Sequence, residues 1–238
     1  MKTAVILPTY NERGNIVRLV TEIIKNINKT RHDYEIIVVD DNSSDKTAEI
    51  CKKYFVKNKK VKVFVRKKEK GLATAILFGI KKSSKDIDYI IVMDTDFSHN
   101  PKIVPVMLKR IKNSDMVIGS RYIKGGGMAN KKRYVFSKFY NQFLRILLGV
   151  NVTDFLSGYF CIRKEFILKI KPEITAKNIF SGYGDYFIRL IFLINKLNGR
   201  FSEVPSFYHE RTYGTSKSNL IKMIFSYTNT AFSIKVKS

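Results

Sequence analysis

Short apolar runs alternate with amphipathic stretches along the first half of the chain. Thr3–Leu7, Glu35–Val39, Val61–Val65, Tyr89–Met93 and Met116–Gly119 are brief, apolar and rich in β-branched residues, so each reads as a strand. Between them the apolar positions return at helical spacing. Ile16, Leu19, Val20, Ile23, Ile24 and Ile27 form one such stripe, which predicts a helix over Asn15–Ile27. Asp45–Phe55, Leu72–Lys82 and Pro101–Lys112 are predicted helices too. Ser44 or Asp45 would cap the first of these, and Pro101 suits the first turn of the last. Fully apolar strands alternating with helices predict an α/β fold, with a mostly parallel central sheet covered on both faces.

The pattern changes after Arg121. Ile123–Lys132 is basic and Gly-rich and reads as a mobile loop. Tyr134–Leu148, Tyr183–Leu197 and Ser216–Phe232 read as helices, and Gly158–Ile162 and Phe201–Val204 as strands. With no linker, repeat or low-complexity block, residues 1–238 are expected to form a single domain.

In parallel sheets, ligands bind beyond the carboxyl ends of the strands. Four polar clusters fall there: PTYNE after the first strand, DDNSSD after the second, DTDFSHNP after the fourth and GSRY after the fifth. Asp94 and Asp96 are two apart, which in extended backbone aims both carboxylates the same way. Like charges so placed raise one pKa unless a cation intervenes. Hard oxygen ligands suit Mg²⁺ or Mn²⁺ carrying a diphosphate. The competing reading is a helix-capping turn before Pro101. Asp40 and Asp41 divide similarly, between turn chemistry and a carboxylate that accepts hydrogen bonds from a nucleobase.

Composition narrows the function. The 238 residues are 45% hydrophobic, enough for a sizeable core, while the formal charge of +24 calls for an anionic partner or surface. Cys51 and Cys161 lie in apolar stretches and read as reduced core residues. The opening MKTAVILPTY is too short and too broken for a secretory leader, and no run is long enough for a transmembrane helix. The Walker A and dinucleotide glycine motifs are both missing. His32, His99 and His209 accompany no nucleophile elbow. Nucleic acid is not expected as a partner, because no nucleic-acid-binding motif accompanies the charge.

PTYNE, VVDDNSSD, MDTDFSHNP, GSRY, D-x-x-SGY-x-x-x-RKE and R-x-Y-G-x-SK, in this order from about Val5 to Lys217, resemble the dolichyl-phosphate mannosyltransferases. These are inverting family 2 glycosyltransferases with the GT-A fold, and the chain resembles the branch without C-terminal transmembrane helices. The resemblance implies that Pro8, Tyr10 and Glu12 line the nucleotide pocket, with Val39 and Asp41 near the base and ribose. It makes Asp94 and Asp96 the D-x-D pair that holds Mg²⁺ or Mn²⁺, Asp96 being the firmer ligand. Ser98 falls where many members place a glutamine as a further metal contact. Arg121 and Arg133 would grip donor and acceptor phosphates, and Arg211 and Lys217 would close over them. Two departures stand out. Gly71-Leu72-Ala73 replaces a G-L-G pattern, and Arg189 occupies a position that is acidic in some relatives, with Asp185 one turn earlier.

The implied reaction moves mannose from GDP-mannose to dolichyl (polyprenyl) phosphate with inversion. The alternative is a glucosyl- or N-acetylhexosaminyltransferase of the same acceptor, using a UDP-sugar. A third reading has a saccharide hydroxyl as acceptor, with Asp185 or Asp154 as base. A phosphate monoester is ionised near neutral pH and attacks without a general base, whereas a hydroxyl needs one. A lipid acceptor further implies peripheral association with the cytoplasmic face of a membrane (endoplasmic reticulum or plasma membrane, according to source), with small membrane subunits as candidate partners. Tyr134–Leu148, aromatic and basic, suits an interfacial helix, although packing into the core or on a partner would explain its pattern as well.

Overall fold

The computed structural model describes residues 1–169, 176–210 and 220–236. Five strands follow the predicted order: β1 (Lys2–Thr9), β2 (Asp33–Asp40), β3 (Val61–Val65), β4 (Tyr89–Val92) and β5 (Met116–Ser120). Helices α1 (Ile16–Ile27), α2 (Thr47–Tyr54), α3 (Leu72–Lys82) and α4 (Val104–Arg110) alternate with them, and 3-10 turns flank α4 on both sides. Helix α2 starts two residues later than predicted. Lys46 sits in the left-handed region at φ 65°, and the Asp45 carboxylate receives the Thr47 N–H at 3.0 Å.

The second half adds β6 (Gly127–Met128), α5 (Lys131–Leu148), β7 (Phe160–Arg163), α6 (Lys164–Lys169) and α7 (Ala176–Ile179). It then continues with α8 (Asp185–Lys196), β8 (Phe201–Pro205), β9 (Phe207–Tyr208) and α9 (Leu220–Val236). The predicted loop over 123–132 is not simply mobile. Its β6 segment pairs in parallel with β9, and the Gly127 N–H reaches the Ser206 carbonyl at 3.2 Å. Backbone pairing therefore staples the loop to the chain beyond β8.

The main sheet runs β3-β2-β1-β4-β7-β5-β8. All pairings are parallel except those of β7, which is antiparallel to both neighbours. Strand alternation divides the core. Val5 and Leu7 face α1 and α4, whereas Ala4 and Ile6 face α3 and the C-terminal helices. Both cysteines are buried and unpaired, and burial pushes the Cys51 thiol up to about 12. Among the described residues, no helix is long and apolar enough to cross a membrane.

Gly79 shows how tightly α3 seats on the sheet. A Cβ there would come within 2.5 Å of Ile6 Cγ2 and 3.2 Å of Val39 Cγ2. Alanine is the better helix former, yet here overpacking outweighs propensity. Gly79→Ala is expected to destabilise the fold by about 1–3 kcal/mol, read from urea unfolding at neutral pH. An unchanged midpoint would mean that α3 shifts off the sheet without cost.

Candidate active site

β1, β2, β4 and β5 deliver their polar clusters to one edge of the sheet, around a cavity of about 850 Å³. Pro8, Tyr10, Glu12, Asp41, Asp94, Asp96, Arg121 and Arg133 all line it. Eight of the predicted positions thus meet at one surface although they lie far apart in the chain. Val39 does not line it. It packs in the core beneath, because its side chain points to α3. Arg211 and Lys217 lie outside the described residues.

The Asp40–Asp41 pair separates into two roles. Asp40 receives the Ser43 N–H at 3.2 Å, as well as the Ser43 hydroxyl, so it serves the turn. Asp41 faces the cavity. Arg66 Nε donates to its Oδ1 at 2.7 Å and the Gly71 N–H to its Oδ2 at 2.7 Å. Gly71 holds φ at 133°, a value that L side chains rarely adopt, and this aims its N–H at Asp41. Arg66 was missed from the sequence, yet it directly follows β3 and obeys the same strand-edge rule as the other clusters. The third position of Gly71-Leu72-Ala73 raises no steric problem, since Ala73 is buried away from the cavity.

The D-x-D segment departs from the extended geometry expected of it. Strand β4 ends at Val92, and residues 95–99 form successive bends, with Phe97 left-handed at φ 63°. Both carboxylates still reach the cavity. Asp94 is 36% exposed, whereas Asp96 is buried to 3%. The Ser98 N–H and hydroxyl donate to Asp96 Oδ1 at 3.0 and 2.5 Å, which places Ser98 behind Asp96 and not on the cavity wall. Two hard carboxylates facing one cavity fit Mg²⁺ or Mn²⁺. Among the described residues no group of three His, Cys, Asp or Glu side chains could hold a metal. The pair therefore suits an ion whose other ligands come from a diphosphate and water.

On the same lining, Arg121 is clamped by Asp154. Its Nε and backbone N–H donate to Oδ2 at 2.8 and 3.0 Å, and Nη2 donates to Oδ1 at 2.7 Å. Burial acts to lower the pKa of the guanidinium, but Asp154 more than reverses this, so the charge is secure. The Tyr208 ring lies 5.8 Å from the Arg121 guanidinium and 5.9 Å from that of Arg133. Burial first, and then Asp94 and Asp96, push the Tyr208 pKa up and keep its hydroxyl neutral. Asp185 is likewise committed. It receives the Tyr183 N–H at 2.8 Å and pairs with Arg189 Nη1 at 2.7 Å. The two acidic residues weighed as general bases are thus both locked in ion pairs. Tyr208, Tyr186 and Tyr227 on the wall carried no sequence signal beyond generic core aromatics.

A mostly parallel sheet with carboxylates and guanidiniums gathered at its carboxyl edge has the architecture of the GT-A fold. The chain belongs to glycosyl transferase family 2, whose model matches residues 4–170. It is 40% identical over 195 residues to the dolichol-phosphate mannosyltransferase of Pyrococcus furiosus, covering 76% of this chain and 54% of that protein. The chain therefore spans about half the length of that relative. It is 30% identical to the undecaprenyl-phosphate mannosyltransferase of Micrococcus luteus, over 91% of this chain and 87% of that protein. It is 32% identical to the polyprenol monophosphomannose synthase of Mycolicibacterium smegmatis, over 94% and 84%. Among solved structures, glucosyl-3-phosphoglycerate synthase from Mycobacterium tuberculosis, in complex with Mn²⁺, UDP and glucosyl-3-phosphoglycerate, superimposes with a TM-score of 0.67 at 19% identity. That match covers 98% of this chain and 79% of that one, and at such identity it speaks to the fold.

Asp154→Asn leaves the Arg121 guanidinium buried without its anion. It is expected to cost about 3–5 kcal/mol, measured by urea unfolding. Wild-type stability in this variant would show that Arg121 is held by something other than the clamp.

Proposed function

We propose that the protein transfers mannose from GDP-mannose to a polyprenyl phosphate of the dolichyl type, with inversion at the anomeric carbon. The observation that carries this reading is the commitment of the acidic candidates for a base. Asp94, Asp96, Arg121 and Arg133 share the cavity lining, while Asp154 and Asp185 are tied up in ion pairs. A hydroxyl acceptor would need one of them as a base. A phosphate monoester needs cations to hold it and no proton acceptor, which is what this wall offers. The names of the three relatives support the same acceptor class and sugar.

In this reading Pro8, Tyr10, Glu12 and Asp41 hold the nucleoside, and Asp94 and Asp96 hold Mg²⁺ or Mn²⁺. The ion would neutralise the departing diphosphate. Arg121 and Arg133 bring the acceptor phosphate toward the anomeric carbon. A phosphate oxygen forms the new bond to that carbon as the bond to the donor diphosphate breaks, and the bonding pair leaves with GDP. Ser98 supports Asp96 from behind, and Arg211 and Lys217 would complete the anion grip. The mannosyl donor is preferred over UDP-glucose or a UDP-N-acetylhexosamine because all three relatives are named for mannose or phosphomannose.

Access to a lipid acceptor follows from the paired helices α5 and α9. They are joined by the Tyr140 hydroxyl to Thr228 Oγ1 at 2.9 Å and by the Phe143 and Phe232 rings at 6.4 Å. Phe139 and Ile146 on α5 are each 73% exposed, and Phe225 on α9 is 76% exposed. Lys131, Lys132 and Lys138 are exposed on the same helix α5. An aromatic face bordered by lysines suits an anionic lipid surface, and it sits beside the cavity through Arg133. On this reading the protein works as a peripheral enzyme on the cytoplasmic face of a membrane, with small membrane subunits as candidate partners.

The decisive assay combines purified protein, Mn²⁺, labelled GDP-mannose or UDP-sugars, and a polyprenyl phosphate. Lipid-linked mannose is the expected product, and no lipid-linked sugar from any donor would refute the acceptor class. Asp96→Ala is expected to lower turnover by about 100-fold or more, and full activity in this variant would refute the metal assignment. Replacing both Phe139 and Ile146 with serine removes about 3 kcal/mol or more of buried apolar surface. Co-sedimentation with phosphatidylglycerol vesicles should then weaken at least ~100-fold. Unchanged binding would exclude this face as the docking surface.

A further inference from the structure

His99 is absent from the reaction just described, yet it stands at the crossing of three segments that build the cavity. It is 2% exposed and directly behind the D-x-D turn. The Asp94 N–H donates to its Nδ1 at 3.0 Å, which leaves the proton on Nε2, and Nε2–H donates to the Ser157 carbonyl at 3.1 Å. Its ring stacks on Tyr159 at 4.8 Å and 15°, and meets Tyr208 edge-on at 5.8 Å. Tyr159 in turn donates its hydroxyl to the Asn100 carbonyl at 3.1 Å, beyond the far end of the same turn. Ser157 lines the cavity wall, and Tyr208 carries the contacts to Arg121 and Arg133.

We propose that His99 is a positioning residue for metal and donor binding, acting through the Asp94 backbone. Residues 95–99 bend after the strand has ended, and the imidazole holds the Asp94 N–H where that bend begins. Because the other ring nitrogen is held by Ser157, the position of Asp94 is fixed relative to the segment that enters β7. The same segment carries Asp154, so the ring ties the carboxylate pair to the residue that clamps Arg121. This inference rests on the proposed metal-dependent reaction, and its test separates the two.

Three substitutions divide the functions of the ring. Asparagine places an acceptor where Nδ1 stood and keeps the Asp94 bond. Glutamine reaches toward Ser157 and loses the Asp94 bond. Phenylalanine keeps the stacking and loses both hydrogen bonds. Mn²⁺ binding is followed by electron paramagnetic resonance in the presence of GDP, with UDP in parallel, and the KM for Mn²⁺ is measured beside kcat. His99→Phe and His99→Gln are expected to weaken Mn²⁺ about 10-fold or more, with kcat largely recovered at saturating Mn²⁺. His99→Asn is expected to stay within about 3-fold of wild type, well short of that loss. Equal impairment of the asparagine and glutamine variants, or wild-type affinity in His99→Phe, would overturn the inference while leaving the proposed function intact. If the phenylalanine variant does not fold, the asparagine–glutamine contrast decides alone. A wild-type protein that binds no Mn²⁺ with either nucleotide would overturn the metal reading and this inference together.

Discussion

Parallel strands all end on the same side, and this directional constraint governs the molecule. Each crossover helix returns the chain to the opposite edge, so the residues after β1, β2, β4 and β5 meet without further device. The cost is electrostatic. Asp41, Asp94 and Asp96 are drawn to one edge with a low-dielectric sheet behind them, where like charges repel. Cations balance this wherever the structure supplies partners. Arg66 holds Asp41 from the end of β3, and Arg121 and Arg133 line the same cavity as the carboxylate pair.

The single antiparallel strand changes what that edge can bind. Because β7 runs against β4 and β5, the segment entering it, Asp154 to Gly158, also lies at the carboxyl edge. It brings Asp154 under Arg121 and Ser157 over His99. Carboxylates that would be bases in solution become clamps here, Asp154 on Arg121 and Asp185 on Arg189.

Helices α5 and α9 follow a different logic. Their inner faces pack on the second core cluster through Leu144, Leu148, Tyr227 and Ala231. Their outer faces keep large apolar side chains in solvent, which burial in a folded monomer would have removed. The cap of α5 lies at the cavity end of the helix, where the Asn130 side chain receives the Arg133 N–H at 2.9 Å. The Arg133 end and the exposed apolar surface therefore belong to one helix.

Much of the fold and of the cavity lining was legible from sequence because both depend on local regularities. Strand and helix periods, Gly71 and the four polar clusters are all one-dimensional signals, and β3 and α3 match their predicted limits. The family motifs singled out Asp94, Asp96, Arg121 and Arg133, which all line the cavity. What depended on distant pairing was not legible. The Asp154–Arg121 clamp joins residues 33 apart and the His99–Ser157 bond residues 58 apart. Nothing near His99 distinguishes a ring that holds a backbone amide from a buried core histidine. Val39 and Ser98 show the same limit from the other direction, since sequence placed them near the site while side-chain direction put one in the core and the other behind Asp96. The sequence by itself determined which residues stand at the carboxyl edge, because strand ends are set by local pattern. Only the tertiary structure decided which of those charges face the ligand and which neutralise one another, because that depends on contacts the chain makes with itself across the fold.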